Sequence, residues 1–260
     1  MFEQRANHLT MSNPTIVKKK EWFGEWFDSP YYHVLYQHRD TKEARQFIDN
    51  LVDSLNIRPN APLLDLCCGR GRHAVYLNYK GFDVTGLDLS LQNIRFASRA
   101  ASPSLRFAVH DMREVYAQAK FEVVLNLFTS FGYFDDQADN LRSLAAMKAV
   151  LKPNGCIVLD FLNPDLVRQN MVTHETKRAS GITFDIKKYL ENDWIVKQIS
   201  FEADGHLYRF FEKVRLISRA DFARYFAQTD LKIVKCWGDY QLNPFERHKS
   251  ERMIFLLQTT

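Results

Sequence analysis

Five short apolar runs follow one another between residues 62 and 163: LLDLCC (63–68), FDVTGLDL (82–89), LRFAVH (105–110), FEVVLNLF (121–128) and CIVLDFL (156–162). Segments of helical character near 71–80, 90–100 and 137–152 separate most of them. That alternation admits few architectures. A strand returning parallel to its predecessor needs a crossover of about a dozen residues or more, and a helix supplies it, so the pattern predicts a parallel sheet with helices on both faces. Gly81 and Pro153-Asn154-Gly155 are read as helix stop signals. The last two apolar runs, LKIVKCW and MIFLLQ, have only loop between them and are therefore expected to pair antiparallel at the end of the sheet.

The flanking segments are built differently. Residues 1–20 carry a KKK run without periodicity and read as a mobile lead-in, and 21–260 as a single domain. Trp22, Phe23, Trp26, Phe27, Tyr31, Tyr32 and Tyr36 crowd too many rings for a solvated linker, so 21–40 is expected to be a helical aromatic lid. Asp40 and Glu43 stand as in a capping box before Ala44, Phe47, Ile48, Leu51, Val52 and Leu55, an amphipathic helix stopped by Pro59. After Pro164 the alternation changes to period two in TFDIKKYL, WIVKQISF and HLYRFFEKVRLI, which predicts an antiparallel β insertion over about 178–217, serving as a lid or a dimerisation surface. In it His206 and Tyr208 share one face and Arg209 takes the other. Ser218 and Asp221 then cap a helix to about Gln228.

Composition excludes several classes. With 46% apolar and 25% charged residues in a chain of 260, a disordered tail, a fibrous repeat and a disulfide-framed miniprotein are ruled out. The net charge of +4 comes from spread rather than massed basic residues, so no nucleic-acid partner is expected. No apolar run approaches a signal peptide or a membrane span, which points to a cytoplasmic protein. Cys67, Cys68, Cys156 and Cys236 lack ligand spacing and read as reduced thiols; no metal site is expected.

The richest local signal is the first apolar run leading into Gly69-Arg70-Gly71 and a helix. Glycines belong where the backbone turns with positive φ and approaches a ligand, and the helix behind offers free amides and a positive dipole end. GRGRHA also satisfies the dinucleotide form G-x-G-x-x-G/A, so a nicotinamide-dependent oxidoreductase stays open. Asp88 closes the next run, where a carboxylate can accept two hydrogen bonds from a ribose diol. Asp111 closes the third, where an adenine amino group can be read with the Met112 amide beside it. Asp65, inside the first run, wants a nearby cation or amide.

Together these residues resemble the class I S-adenosylmethionine-dependent methyltransferases. DLCCGRGRHA resembles their first motif, GLDLS the ribose motif, HDMR the adenine motif, and NLFTSFGYF the segment that closes the fourth strand beside the transferred methyl. The similarity is greatest to small-molecule-type bacterial members with a DLCCGxGRH loop and an aromatic N-terminal segment like YYHVLY. It implies a Rossmann-like, seven-stranded, mostly parallel sheet with an antiparallel last strand. It implies that Gly69 and Gly71 admit the methionine part of the cofactor, that Asp65 organises its ammonium or the loop, and that Asp88 holds the ribose. Leu89 would pack on adenine, Asp111 and Met112 would address its edge, and backbone near Asn126 would meet the ammonium. Tyr32, Tyr36 and Arg39 would fold over the cofactor.

On this reading the function is methyl transfer to a small molecule, an in-line displacement that relies on alignment and exclusion of water. Phe128, Ser130, Phe131 and Tyr133 are expected to wall the acceptor pocket. No catalytic base is assigned: His110 and His73 read as structural, while Tyr133, His33 and His206 are placed to border the acceptor. The absence of an NPPY-like tetrapeptide after the fourth strand argues against adenine-N6 or glutamine methylation, and Cys156 follows glycine, unlike a cytosine-C5 nucleophile. A cofactor-binding protein without transferase activity is the other alternative, and the chain is expected to be a monomer or homodimer.

Overall fold

The computed structural model describes residues 21–37 and 41–260; the lead-in, Arg39 and the capping residue Asp40 lie outside the described residues. Three helices come first, α1 (Trp22–Trp26), α2 (Pro30–Leu35) and α3 (Thr41–Leu55). The chain continues through β1 (Pro62–Leu66), α4 (Arg72–Tyr79), β2 (Asp83–Asp88), α5 (Leu91–Ala97), β3 (Leu105–Val109), β4 (Phe121–Asn126), α6 (Gln137–Ala149) and β5 (Leu151–Leu162). It ends with α7 (Pro164–Asn170), β6 (His174–Ala179), β7 (Ile182–Glu191), β8 (Trp194–Ala203), β9 (His206–Arg215), α8 (Arg219–Gln228), β10 (Leu231–Trp237) and β11 (Arg252–Thr259).

Seven strands form one sheet in the order β10-β11-β5-β4-β1-β2-β3. Pairings β1–β2, β2–β3, β1–β4 and β4–β5 are parallel, whereas β11 runs antiparallel to both β5 and β10. The reversed strand is the one the short terminal connection demanded. Chain order departs from β1 in both directions, to β2 and β3 on one side and to β4 and β5 on the other. This switch point opens a crevice at the carboxyl ends of the strands.

Each sheet face is covered by helices, as the central strands require, since alternate residues of one strand are apolar on both sides. Leu63, Val84, Val123 and Leu125 pack with Phe47, Ile48 and Leu51 of α3 and with Ala74 and Leu77 of α4. On the opposite face Leu64, Val124 and Phe255 meet Leu144 and Met147 of α6 and Phe222 and Phe226 of α8. Ser218 accepts from the Asp221 amide while the Asp221 carboxylate accepts from the Ser218 amide, the reciprocal cap its sequence announced.

Some boundaries differ for local reasons. The α3 helix stops at Leu55 rather than at Pro59, because Asn56 turns into the left-handed region at φ 48°. Strand β1 ends at Leu66, because Cys67 has φ 65°; the two cysteines that end the first apolar run therefore lie beyond the strand. Pro153-Asn154-Gly155, expected to stop a helix, lies inside the extended segment β5. There Leu151 pairs with Phe121, and the register shifts before Val123 meets Cys156. No described helix is long and apolar enough to cross a membrane.

The second sheet is antiparallel, in the order β6-β7-β8-β9, so a fourth strand precedes the three the alternation showed. One face carries Phe184, Ile186, Ile199 and Phe201, and Trp26 and Leu35 of α1 and α2 close over it. Trp26 lies 4.7 Å from Phe210 and Tyr31 4.8 Å from Phe201, ring centre to ring centre. The insertion is thus the platform on which the aromatic N-terminal helices rest, and those helices in turn roof the switch-point crevice.

Candidate active site

The turn after β1 is shaped by three left-handed residues, Cys67, Gly69 and Gly71, at φ 65°, 57° and 79°. Gly71 begins α4, and a Cβ there would stand 2.8 Å from the Phe107 ring, so conformation and packing both require glycine. Around Gly69 a Cβ would meet nothing within 4 Å: its backbone borders open space that a ligand can enter.

Asp65 is buried beneath this turn and accepts the Ala74 amide of α4 at 3.1 Å. Burial pushes its carboxyl up to about 7, with the Ala74 hydrogen bond and the Arg72 charge pulling the other way. A cation arriving in the turn would favour its ionised form. Asp88 ends β2 and binds the turn to the next helix. Its Oδ2 accepts the Gly69 amide at 2.8 Å, and its Oδ1 accepts the Ser90 amide at 2.9 Å and Asn93 Nδ2 at 3.3 Å. Burial raises the Asp88 carboxyl against these donors. Asn93 Oδ1 is 2.7 Å from His33 Nε2, so the roof helix α2 is wired to the same carboxylate.

A cavity of about 320 Å³ opens here. Asp65, Gly69, Asp88, Leu89, Asp111 and Met112 border it from the ends of β1, β2 and β3. Phe128, Ser130 and Tyr133 border it from the loop after β4, and Tyr32 and Tyr36 from the roof. Three of the expected residues stand elsewhere, and a fourth is not among the described residues. Gly71 lies behind the turn as the first cap of α4. Asn126, fully buried, donates to Leu66 O at 3.2 Å and braces the end of β1. Phe131 is not a pocket wall: it is fully buried 5.8 Å from Phe222, because positive φ at Phe128, Thr129 and Gly132 coils the loop and sends this ring into the core. Arg39 is outside the described residues.

The carboxylate of Asp111 is engaged within its own loop. Arg113 Nε is 3.0 Å from both its oxygens, and Arg113 also reaches Asp139 at 3.0 Å and Glu21 at 2.8 Å. Burial pushes the Asp111 carboxyl up, but Arg113 outweighs it and holds it below the usual range. The edge of this pocket region is therefore lined by an ion-paired Asp111 and by Met112.

The loop after β4 owes its shape to a buried pair that the sequence did not reveal. Asp160 on β5 accepts the Phe128 amide at 2.8 Å and Arg252 Nε at 2.8 Å, and Arg252 Nη2 donates to Thr129 Oγ1 at 2.8 Å. Phe128 then stacks on His73 at 5.0 Å. Ser130 Oγ donates to Leu127 O at 2.8 Å, and the Tyr133 hydroxyl to Thr129 O, so both fasten the loop to itself. His110 borders the cavity with Nε2 2.8 Å from Glu114 O, whereas His206 lies outside the cavity lining, bonded to Asp204 O.

His33, expected to border the acceptor, does line the cavity, whereas further lining residues were missed: Phe23, Phe27 and Asn93, and from β9 Glu212 and Val214. The signal for Glu212 was present. Period-two alternation places Tyr208, Phe210, Glu212 and Val214 on one face of β9, a single carboxylate among apolar groups.

A parallel sheet with one reversed terminal strand, a left-handed turn after β1 and a carboxylate ending β2 define a methyltransferase-type nucleotide crevice. A family profile described as a methyltransferase domain matches residues 36–236, and the chain belongs to that family. The putative methyltransferase YqeM of Bacillus subtilis is 36% identical over 101 residues, 38% of this chain and 41% of the relative. The glycine/sarcosine N-methyltransferase of Aphanothece halophytica is 31% identical over 165 residues, 60% of this chain and 61% of the relative. The chain thus matches 41% and 61% of the lengths of these curated relatives. Among solved structures, an S-adenosylmethionine-dependent methyltransferase from Clostridium acetobutylicum superposes with a TM-score of 0.73 at 22% identity, covering 88% of this chain and 96% of that one; the fold is shared.

Proposed function

We propose that the protein transfers a methyl group from S-adenosylmethionine to nitrogen of a small-molecule acceptor. The observation that carries this reading is Asp88 at the crevice, with its two oxygens fixed by Gly69, Ser90 and Asn93 in a cavity that extends under aromatic residues. A carboxylate held so rigidly presents its remaining lone pairs to a ribose diol without reorganising. The open space at Gly69 and the adjoining Asp65 suit an aminoacyl chain with its ammonium. The cavity volume falls within the range of small-molecule sites. The relative named for glycine and sarcosine N-methylation supports nitrogen as the acceptor atom.

When bound, the cofactor supplies an electrophilic methyl whose positive charge disperses as transfer proceeds. The protein's own part is positioning and drying. Asp88 and the Gly69 turn fix the nucleoside, while Phe128 and Tyr133 wall the acceptor side on a loop braced by Asp160 and Arg252. The roof residues Phe27, Tyr32 and Tyr36 exclude water. The helices α1 and α2 act as the lid and the β insertion as its support. The test is to incubate the enzyme with S-adenosylmethionine and a panel of primary and secondary amines, alcohols and thiols. Formation of S-adenosylhomocysteine and an N-methyl product by mass spectrometry is expected; turnover confined to alcohols or thiols would overturn the nitrogen assignment.

A further inference from the structure

Four carboxylates border the cavity, and three are accounted for at the ends of β1, β2 and β3 as Asp65, Asp88 and Asp111. The fourth, Glu212, comes from the other sheet. Two residues further along β9, Val214 also lines the cavity, and the next amide, of Arg215, donates to Gly132 O at 2.8 Å. That bond lays the strand along the loop after β4, so Glu212 overhangs the acceptor side of the crevice.

Its setting is built. Glu212 Oε1 accepts Trp26 Nε1 at 2.7 Å and the Tyr36 hydroxyl at 2.6 Å, donors from the two roof helices. Lys197, opposite it on β8, holds Nζ 3.6 Å from Oε2 and donates to the Tyr36 hydroxyl. The side chains of Glu212 and Lys197 are 18% and 14% exposed. Among the described residues no hydrogen bond reaches Oε2, because the Lys197 contact is an ion pair longer than a hydrogen bond. Phe27, Tyr32 and Tyr133 line the same cavity as Glu212, with the Phe27 ring 5.0 Å from Tyr32 and 5.5 Å from Tyr133. A carboxylate oxygen with spare lone pairs, bordering a cavity that aromatic rings also line, suits an amine: the oxygen takes N–H and the rings favour positive charge.

Building on the methyltransferase reading above, we infer that Glu212 positions the acceptor, its Oε2 receiving an N–H of an amine substrate and so aiming the nitrogen lone pair toward the methyl. As the nitrogen–carbon bond forms, the carbon–sulfur bond breaks and its electron pair stays on sulfur. The nitrogen becomes positive, and its surplus proton leaves to solvent. Glu212 faces that growing charge, so it stabilises the transition state more than the ground state. Trp26 and Tyr36 fix Oε1 and leave Oε2 as the oxygen for the substrate. Lys197 keeps the pair neutral until an amine arrives. An acceptor presenting a carboxylate or phosphate at this point would be repelled.

Sinefungin, a cofactor analogue with an amine-bearing carbon in place of the sulfonium, reads the charge at this point without an identified acceptor. Dissociation constants of sinefungin and S-adenosylhomocysteine are measured by calorimetry for the wild type, Glu212→Gln and Lys197→Met. A charge-assisted hydrogen bond predicts about tenfold preference of the wild type for sinefungin. Glu212→Gln, which still offers an oxygen to Trp26 and Tyr36, should abolish that preference and leave S-adenosylhomocysteine within about twofold. Lys197→Met, which removes the competing cation, should widen it. An equal ratio in wild type and Glu212→Gln overturns the assignment while leaving the methyltransferase reading intact. Failure of the wild type to bind either compound overturns both. Should Glu212→Gln fail to fold, Lys197→Met decides: a ratio that does not rise contradicts the proposal.

Discussion

The Gly69 amide donates to Asp88 Oδ2 at 2.8 Å, so the turn that follows β1 and the carboxylate that ends β2 are one rigid unit. A ligand touching Asp88 therefore also meets the turn in its bound shape. Asp88→Ala removes both the brace and the acceptor for a ribose diol. Two lost hydrogen bonds to a charged group predict S-adenosylhomocysteine affinity lower by about 100-fold in calorimetry. An affinity within threefold of wild type would remove Asp88 from the cofactor site.

Asp65 gives a pH signature. Its carboxyl is raised from 3.8 to about 7 by burial, so the folded state binds the proton more tightly than the unfolded state. The stability this contributes is fully present below the unfolded value and is lost as the pH rises through about 7. Asp65→Asn mimics the neutral acid at every pH. Urea unfolding from pH 4 to 8 should show the variant gaining on the wild type by a few kcal/mol toward the alkaline end. A difference independent of pH would show that Asp65 is ionised throughout.

Asp160 and Arg252 are a buried pair whose disruption should be costly. Asp160 is fully buried, and burial pulls the Arg252 guanidinium down while the Asp160 charge more than restores it. Arg252→Met leaves the carboxylate without its counter-charge and should destabilise by about 3–5 kcal/mol, lowering the thermal midpoint by roughly 10 °C. The double variant Asp160→Asn/Arg252→Met should recover part of that loss. No recovery would mean that packing of the arginine, not its charge, is what matters.

Much of this molecule was legible from residue patterns, for reasons that particular elements make clear. Strands β1 to β5 are apolar runs punctuated by helices, and their parallel order follows from the connections; the β10–β11 hairpin follows from the lack of one. Asp65, Asp88 and the glycine turn were readable because their spacing is local to strand ends. Glu212, Lys197 and Trp26 were not assembled into one site, since they meet only after two distant segments pack. Phe131 misled because its neighbours Phe128 and Thr129 both take positive φ, which no propensity announces. The Asp160–Arg252 pair spans 92 residues, with Asp160 inside a run read as plain strand and Arg252 just before another.

Gly71 tests the geometry of the turn. At φ 79°, with the Phe107 ring 2.8 Å from a built Cβ, Gly71→Ala must strain the backbone and displace the ring. A loss of about 1–3 kcal/mol is expected, with weaker S-adenosylhomocysteine binding because the turn shifts with it. A variant as stable as wild type would mean that Phe107 and the turn relax freely.

The most direct test of the central claim is thermal unfolding with S-adenosylhomocysteine, S-adenosylmethionine and NAD(H) in parallel. Saturation at about 100 times the dissociation constant adds roughly 2.7 kcal/mol, several degrees for a chain of this size. The fold and the Asp88 site predict that both adenosyl ligands raise the midpoint and that NAD(H) does not. A rise with NAD(H) alone would contradict the methyltransferase assignment and make the glycine turn a dinucleotide site.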